Sequence, residues 1–298
     1  MKKRMVIISK EKNPYVNHAI EEILFTTFVD YEQILFLWVN EPSVVFGRNQ
    51  NPWHEIDVRF AKEKGIHLLR RISGGGTVYH DLGNLNYSFI EHHSLYSESE
   101  HFELIIAALA ELGIQAEVSP RKDLVVDSRK VSGSAFFMKG LRRLHHGTLL
   151  IDTDLETLWK SLKVRDEDFK NRFEMGRTIR SVPSPVVNLA EVEQQNKNQQ
   201  NENQQNENQN NEKRLKVNDV IGAIIDTYYS KNAYQVEVVS VEDILKAHQP
   251  AVETLSKKLA SWEWIFGETP TFTYTDEAGS KHSFSSGTVT PEGINSLF

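Results

Sequence analysis

The 298-residue chain contains no cysteine. That excludes disulfides, Cys-ligated zinc, iron–sulfur ligation and a cysteine nucleophile. No apolar run approaches the roughly eighteen residues of a membrane span, so none is expected. The start, MKKRMVIISKEKNPYVNHAIEE, turns polar before any apolar stretch develops; no secretory signal is expected, and the expected compartment is the cytoplasm. Acidic residues outnumber basic ones, 41 to 34, and a net charge of −7 argues against a protein that grips nucleic acid over a broad face. The Walker A pattern GxxxxGK(S/T), the dinucleotide fingerprint GxGxxG, the zinc motif HExxH and the serine-hydrolase elbow GxSxG are all missing.

A hydrophobic content of 39% supports a real core, and the length admits one large domain with a smaller one. Residues 15–29 carry Val16, Ala19, Ile20, Ile23, Leu24 and Phe28 at helical spacing behind Pro14. QILFLWV (33–39), SVVFG (43–47), IHLLRR (66–71) and NLNYSFI (84–90) read as strands. EHFELIIAALAEL (100–112) is a helix stopped by Gly113; LVVD and KVSGSAFFM suggest a hairpin, and HHGTLLI a further strand. Two more helices are expected at 215–229 and 251–262. Strands interrupted by few but long helices indicate an α+β fold with mostly mixed or antiparallel sheets flanked by helices, not a doubly wound one. Residues 194–211 hold fifteen Gln or Asn in eighteen positions, a composition expected to be a disordered insertion at 193–212.

Two segments carry the chemistry. In RRISGGGTVYHDLGNLNYSF (70–89), Gly74, Gly75 and Gly76 let backbone N–H groups approach a ligand, although a tight turn alone would need no ligand. Arg70 and Arg71 flank that turn, but in a strand they face opposite sides, so only one is expected to meet the ligand. In RKVSGSAFF (129–137), Lys130 stands beside open backbone and could stabilise charge developing at the α-phosphate of a nucleotide. A solvent-facing hairpin lysine is the plain alternative. Asp123 could face a magnesium ion. His80, Asp81, Asn84, His145, His146 and Thr148 are further polar candidates; adjacent histidines in a strand face opposite ways and are poorly placed to share a metal.

NPYVNHAIEEILF (13–25), LWVNEPSVVFGRNQNPWHEID (37–57), residues 70–89, KDLVVDSRKVSGSAF (122–136), HHGTLLIDTDL (145–155) and SVPSPVVNLAE (181–191) resemble, in order, the signatures of the lipoate–protein ligase A family. That family shares a fold group with biotin ligases and octanoyltransferases. WEWIFGETPTFTY (262–274) is similar to the start of its accessory domain. The resemblance implies a biotin/lipoyl ligase-like catalytic domain over 1–249 and a small α+β accessory domain, shortened, over 250–298. It implies that lipoate, ATP and Mg²⁺ give lipoyl-AMP, and that the lipoyl group passes to a lysine of carrier domains. Those carriers are the E2 component of 2-oxoacid dehydrogenases and the H protein of the glycine cleavage system. The expected protein is a monomer.

By the same resemblance Lys130 is the catalytic lysine. Arg70, Ser73, Gly74, Gly75, Gly76, Thr77, Val78, Tyr79, His80 and Asn84 line the adenylate. Asp123, Ser132, Gly133, His146, Gly147 and Thr148 surround its nucleotide side. Arg121-Lys122-Asp123 departs from the family's Arg-Asn-Asp. A transferase using preformed adenylate and a non-catalytic carrier-binding module are the alternatives; an acyl-cysteine transferase is closed by the missing thiol, and the arginine-glycine loop of biotin ligases is not seen.

Overall fold

The computed structural model describes residues 3–162, 167–176, 178–204, 214–231 and 236–286. β1 (Arg4–Ile8) leads to α1 (Pro14–Thr27), whose start is set by Pro14 in the first turn and by the Asn13 side chain, which accepts from the N–H groups of Tyr15 and Val16. β2 (Gln33–Trp38) and β3 (Ser43–Phe46) are buried throughout. The short helices α2 (Pro52–Glu55) and α3 (Val58–Glu63), capped by Asn51 and Asp57, precede β4 (His67–Arg70), β5 (Val78–His80) and β6 (Asn84–His92). α4 (Glu98–Glu111) starts at the Ser97 cap, and Gly113 just beyond its end takes φ +75°. There follow β7 (Glu117–Val118), β8 (Leu124–Val126), β9 (Arg129–Ser132), β10 (Ser134–Lys139), β11 (Arg142–Leu150), α5 (Leu155–Leu162), α6 (Glu167–Asn171) and β12 (Phe173–Met175). The chain continues through α7 (Leu189–Gln204), α8 (Val217–Lys231), β13 (Val236–Ser240), α9 (Val241–Leu259), a π-helical turn (Glu263–Gly267), β14 (Phe272–Thr275) and β15 (Lys281–Phe284).

The central sheet has the order β10-β11-β6-β2-β1-β13; β1 runs parallel to β2 and β13, and the other neighbours are antiparallel. Side-chain alternation splits its apolar residues between two cores. Leu35, Leu37, Tyr87 and Phe89 pack under α4 and α8, whereas Ile34, Phe36, Trp38 and Ile90 pack under α1 and α9. Burial on both faces explains why β2 reads as an unbroken apolar run. A third core joins the small β4-β3-β5 sheet, through Val44, Phe46 and Tyr79, to Trp53, Phe173, Phe266 and Phe272.

The α+β class with mixed and antiparallel sheets holds. KVSGSAFFM does not form one strand: it breaks at Gly133, so β9 pairs with β8 while β10 joins the central sheet. The expected boundary at residue 250 lies within α9, two residues past a kink at His248 where two helical segments join, and Val241 and Ile244 before the kink and Val252 and Leu259 after it all belong to the core beneath α1. α7 carries the start of the Gln/Asn tract as helix to Gln204, because Leu189, Ala190 and Val192 anchor its first turn in the core and Asn196 donates to Gly113 O at 2.9 Å. Residues 205–212 of that tract, and 287–298 of the expected accessory domain, lie outside the described residues.

Candidate active site

Two adjoining cavities, of 260 and 650 Å³, meet where Thr77, Val78, Lys130, Gly133 and Thr148 line both. Each element delivers its residue for a local reason. β8 and β9 form a hairpin whose corner, Asp127-Ser128, sits at φ +49° and +61°, and this sends Lys130 back toward Asp123. Lys130 Nζ lies 2.9 Å from Asp123 Oδ1, at the junction of the two cavities. A Cβ at position 133 would come within 3.2 Å of both Cε and Nζ of Lys130, so glycine is what leaves the ammonium its place. Gly133 N–H donates to Thr148 Oγ1 at 3.1 Å, tying β9 to β11.

The glycine loop between β4 and β5 is held from inside by Arg71. Its guanidinium donates to the carbonyls of Gly74 at 2.5 Å, Gly76 at 2.7 Å and Val45 at 3.2 Å, and to Ser73 Oγ at 2.9 Å. Gly75 takes φ +87°, where a side chain would be strained. Ser181 closes the loop from the other side: its Oγ accepts from Thr77 N–H at 2.9 Å and from Gln50 Nε2 at 3.0 Å.

Beneath the loop lies a buried polar network. His146 sits between Ser73 Oγ (2.7 Å from Nε2) and Glu21 Oε1 (2.8 Å from Nδ1). Ser88 Oγ donates to Glu21 at 2.5 Å and accepts from Trp38 Nε1 at 3.1 Å. Burial alone would raise the Glu21 carboxyl, but the charge and hydrogen bond of His146, with help from His18, pull it well below the usual carboxylate range. Asn40 Nδ2 donates to His80 Nδ1 at 3.1 Å, which places the remaining ring proton on Nε2, an atom with no hydrogen-bond partner among the described residues. Burial, then the neighbouring His18 and Arg71, hold His80 well below the ordinary imidazole value.

Of the residues expected at the site, Gly75, Gly76, Thr77, Val78, His80, Asp123, Lys130, Gly133, His146, Gly147 and Thr148 line the smaller cavity, while Tyr79 and Ser132 line the larger one. Ser73 and Gly74 stand one layer back, holding His146 and Arg71. Asn84 faces Asn86 at 3.1 Å, and it is Asn86 that lines the cavity. Arg70 points away: strand alternation gives the cavity to Arg71 and sends the fully buried Arg70 toward the C-terminal segment.

His18, Glu21 and residues 180–182 were not singled out from the sequence, whereas Trp38, read there as a candidate for an apolar ligand channel, does line the smaller cavity. His18 and Glu21 carried one signal, polar residues three apart on an otherwise apolar helix face. Residues 180–182 follow from long-range pairing: Lys130 N–H donates to Pro185 O at 2.8 Å and Val187 N–H to Lys130 O at 3.0 Å. Among the described residues no cluster of three or more His, Asp or Glu could hold a metal alone. A magnesium ion carried on nucleotide phosphates needs only one or two protein carboxylates, and Asp123 fits that lesser role.

Residues 13–207 match the lipoyl protein ligase A/B catalytic domain. The lipoate–protein ligase A of Psychrobacter cryohalolentis is 35% identical over 274 residues, covering 91% of this chain and 75% of the relative. That of Bdellovibrio bacteriovorus is 35% identical over 278 residues, covering 92% and 75%. The P. falciparum LipL1 structure in complex with lipoate is 25% identical with a TM-score of 0.71, covering 99% of this chain and 87% of that one. A bipartite lipoate protein ligase from Thermoplasma acidophilum, studied with its E2 lipoyl domain, superposes at TM-score 0.65 and 24% identity, over 90% and 97%. The chain belongs to the lipoate–protein ligase A family.

Proposed function

We propose that the two cavities divide the parts of lipoyl-AMP in this ATP-dependent lipoate–protein ligase. The acyl arm occupies the smaller cavity beneath the glycine loop, and the nucleotide occupies the larger one. The carrying observation is that Lys130 lines both and is ion-paired with Asp123 at their junction. The smaller cavity offers Trp38, Val45, Val78 and Ala135 to an apolar chain, worth about 0.8 kcal/mol per buried CH₂. The larger offers Tyr79, Leu150, Leu158 and Phe173 to a base and ribose, and Arg180 lines both cavities.

In the first step the carboxylate oxygen of lipoate attacks the α-phosphorus of ATP, and pyrophosphate departs with the electron pair of the broken P–O bond. The Lys130 ammonium stabilises negative charge on the α-phosphoryl oxygens as they crowd. Asp123 orients Lys130 and would hold a magnesium ion, which supplies charge neutralisation to the phosphates when bound. The glycine loop keeps water from the mixed anhydride. In the second step a lysine amine of a carrier attacks the acyl carbonyl and AMP leaves.

The carriers in this reading are lipoyl domains of 2-oxoacid dehydrogenase E2 components and the glycine cleavage H protein, met by a monomeric, cytoplasmic ligase. Among the described residues no helix is long and apolar enough to cross a membrane. The test is lipoylation of a purified lipoyl domain, run once with lipoate, ATP and magnesium and once with preformed lipoyl-adenylate. Both arms are expected to give product. Product from the second arm alone would make the chain a transferase, and none from either would make it a carrier-binding module.

A further inference from the structure

β11 carries two consecutive histidines, and the strand turns them to opposite faces of the central sheet. His146 lines the cavity; His145 is fully buried beneath α4, beyond reach of any substrate. Its two ring nitrogens are nevertheless both engaged in a line of polar contacts. Ser134 Oγ lies 3.1 Å from His145 Nε2, and His145 Nδ1 lies 3.1 Å from His101 Nδ1. His101 Nε2 contacts Glu91 Oε1, and both of those residues are buried. Phe89 stacks flat on His101 at 4.2 Å, fixing its ring.

Hydrogen-bond chemistry gives this line one direction. The Glu91 carboxylate only accepts, so His101 donates from Nε2; as a neutral ring it then accepts at Nδ1. His145 must then donate from Nδ1 and accept at Nε2 from the Ser134 hydroxyl. Both imidazoles are neutral in that arrangement and every contact is satisfied. At the near end Ser134, partly exposed as the first residue of β10, lines the cavity beside Gly133. The far end has room for a proton: Glu91 Oε2 has no hydrogen-bond partner among the described residues.

We propose that Ser134, His145, His101 and Glu91 form a proton line that deprotonates the carrier lysine during acyl transfer, an inference that rests on the ligase reading above. The amine nitrogen bonds to the acyl carbon, the acyl C–O bond to AMP breaks, and AMP leaves with that electron pair. The nitrogen gives its surplus proton to Ser134 Oγ as the Ser134 proton passes to His145 Nε2. The Nδ1 proton of His145 passes to His101 Nδ1, and the Nε2 proton of His101 passes to Glu91. Glu91 ends neutral and both imidazoles end as the opposite neutral tautomers; reversal of the line after product release returns the proton to solvent. Burial, with the nearby His101, His146 and Lys122, keeps His145 well below the ordinary imidazole value, so the proton does not stop there. Gln33 Nε2 donates to Glu91 Oε1 at 3.3 Å, and Arg142, Tyr96 and Tyr228 also interact with this carboxylate.

The test compares Ser134→Ala and Ser134→Thr in two assays. One is single-turnover transfer from preformed lipoyl-adenylate to a purified lipoyl domain over a range of pH; the other is ATP–pyrophosphate exchange. Loss of a proton-transfer group typically costs about 10²-fold or more. Ser134→Ala is expected to slow transfer at least about thirtyfold more than exchange, with its remaining rate rising more steeply with pH. Ser134→Thr, which restores the hydroxyl, is expected to recover most of the loss. Transfer by Ser134→Ala at the wild-type rate, or an equal fall in both assays, would overturn the proton line. The transfer assay supplies adenylate, so wild-type protein lacking exchange would count against the ligase reading alone.

Discussion

Arg70 and Arg71 are consecutive in sequence, yet their guanidinium groups work on opposite sides of one strand. Arg71 holds the glycine loop from below, while Arg70 donates to the carbonyls of Trp264 at 3.1 Å, Ile265 at 2.8 Å and Gln50 at 2.9 Å, and to Thr269 Oγ1 at 2.8 Å. Trp264 Nε1 returns a bond to Arg70 O at 2.7 Å, and Arg48 lies over the Trp264 ring at 4.6 Å. The loop that walls the cavity and the turn that begins the C-terminal segment thus share one rigid dipeptide.

Arg70→Lys is accordingly expected to be far from conservative. A lysine cannot reproduce the planar fork, and several buried carbonyls would lose their donor. A loss on the order of 3 kcal/mol is expected in urea unfolding. Arg48→Lys, where the guanidinium is one-third exposed and paired with Glu268 at 2.7 Å, is expected to cost less than about 1 kcal/mol. Equal losses in the two variants would contradict the clamp.

Lys130→Ala is expected to cut ATP–pyrophosphate exchange by about 10²- to 10³-fold while leaving the circular dichroism spectrum unchanged. The side chain is partly exposed and, among the described residues, is anchored only through Asp123, so its removal opens no core cavity. Asp123→Asn should fall in the same assay by a smaller factor, because the lysine remains but loses its orienting partner. Wild-type exchange by Lys130→Ala would remove the assigned role.

The parts legible in the sequence were those set by local chemistry. The helix start at Pro14, the helix stop at Gly113, the unbroken apolar run of β2, the alternation of β6, the glycine loop and the Lys130 hairpin each depend on a few neighbouring residues. What sequence could not supply was facing and long-range pairing. Alternation shows that Arg70 and Arg71 diverge but not which meets the ligand, since both faces of that strand are buried. His146 and Glu21 meet across a sequence separation of 125. The Gly133 break, which reassigns β10 to another sheet, looks in the sequence like a continuous strand.

Gly47→Ala tests the backing of the glycine loop. A Cβ there would stand 2.2 Å from Gly75 O and 3.1 Å from Gly74 C, atoms of backbone that Arg71 already holds. The loop must move, and displacement by about 1 Å at a substrate wall can cost up to about 10²-fold in rate. A tenfold or greater fall in kcat/KM for lipoate is expected, with a stability loss of about 1–3 kcal/mol. Gly222→Ala on α8 is the control: nothing lies within 4 Å of its Cβ position, and helix propensity should add up to about 1 kcal/mol without touching activity.

Stability should fall as the solution is acidified from neutral pH, and the sign follows from the buried histidines. His80 and His145 are held well below the ordinary imidazole value in the folded state, in each case by burial first and by nearby positive charge second. Below about pH 6.5 the unfolded chain binds protons that the folded chain refuses. Each group then removes about 1.4 kcal/mol per pH unit until its own folded value is reached. Glu21 acts in the same direction at lower pH: its depressed carboxyl contributes stability that is present above the unfolded value near 4.3 and lost as pH falls below it. Urea titrations at about pH 7.5 and 5.5 are expected to show a midpoint falling with an unchanged slope, by an amount equivalent to roughly 2–3 kcal/mol from the two histidines. A midpoint that stays constant over that interval would mean that these rings become protonated inside the fold.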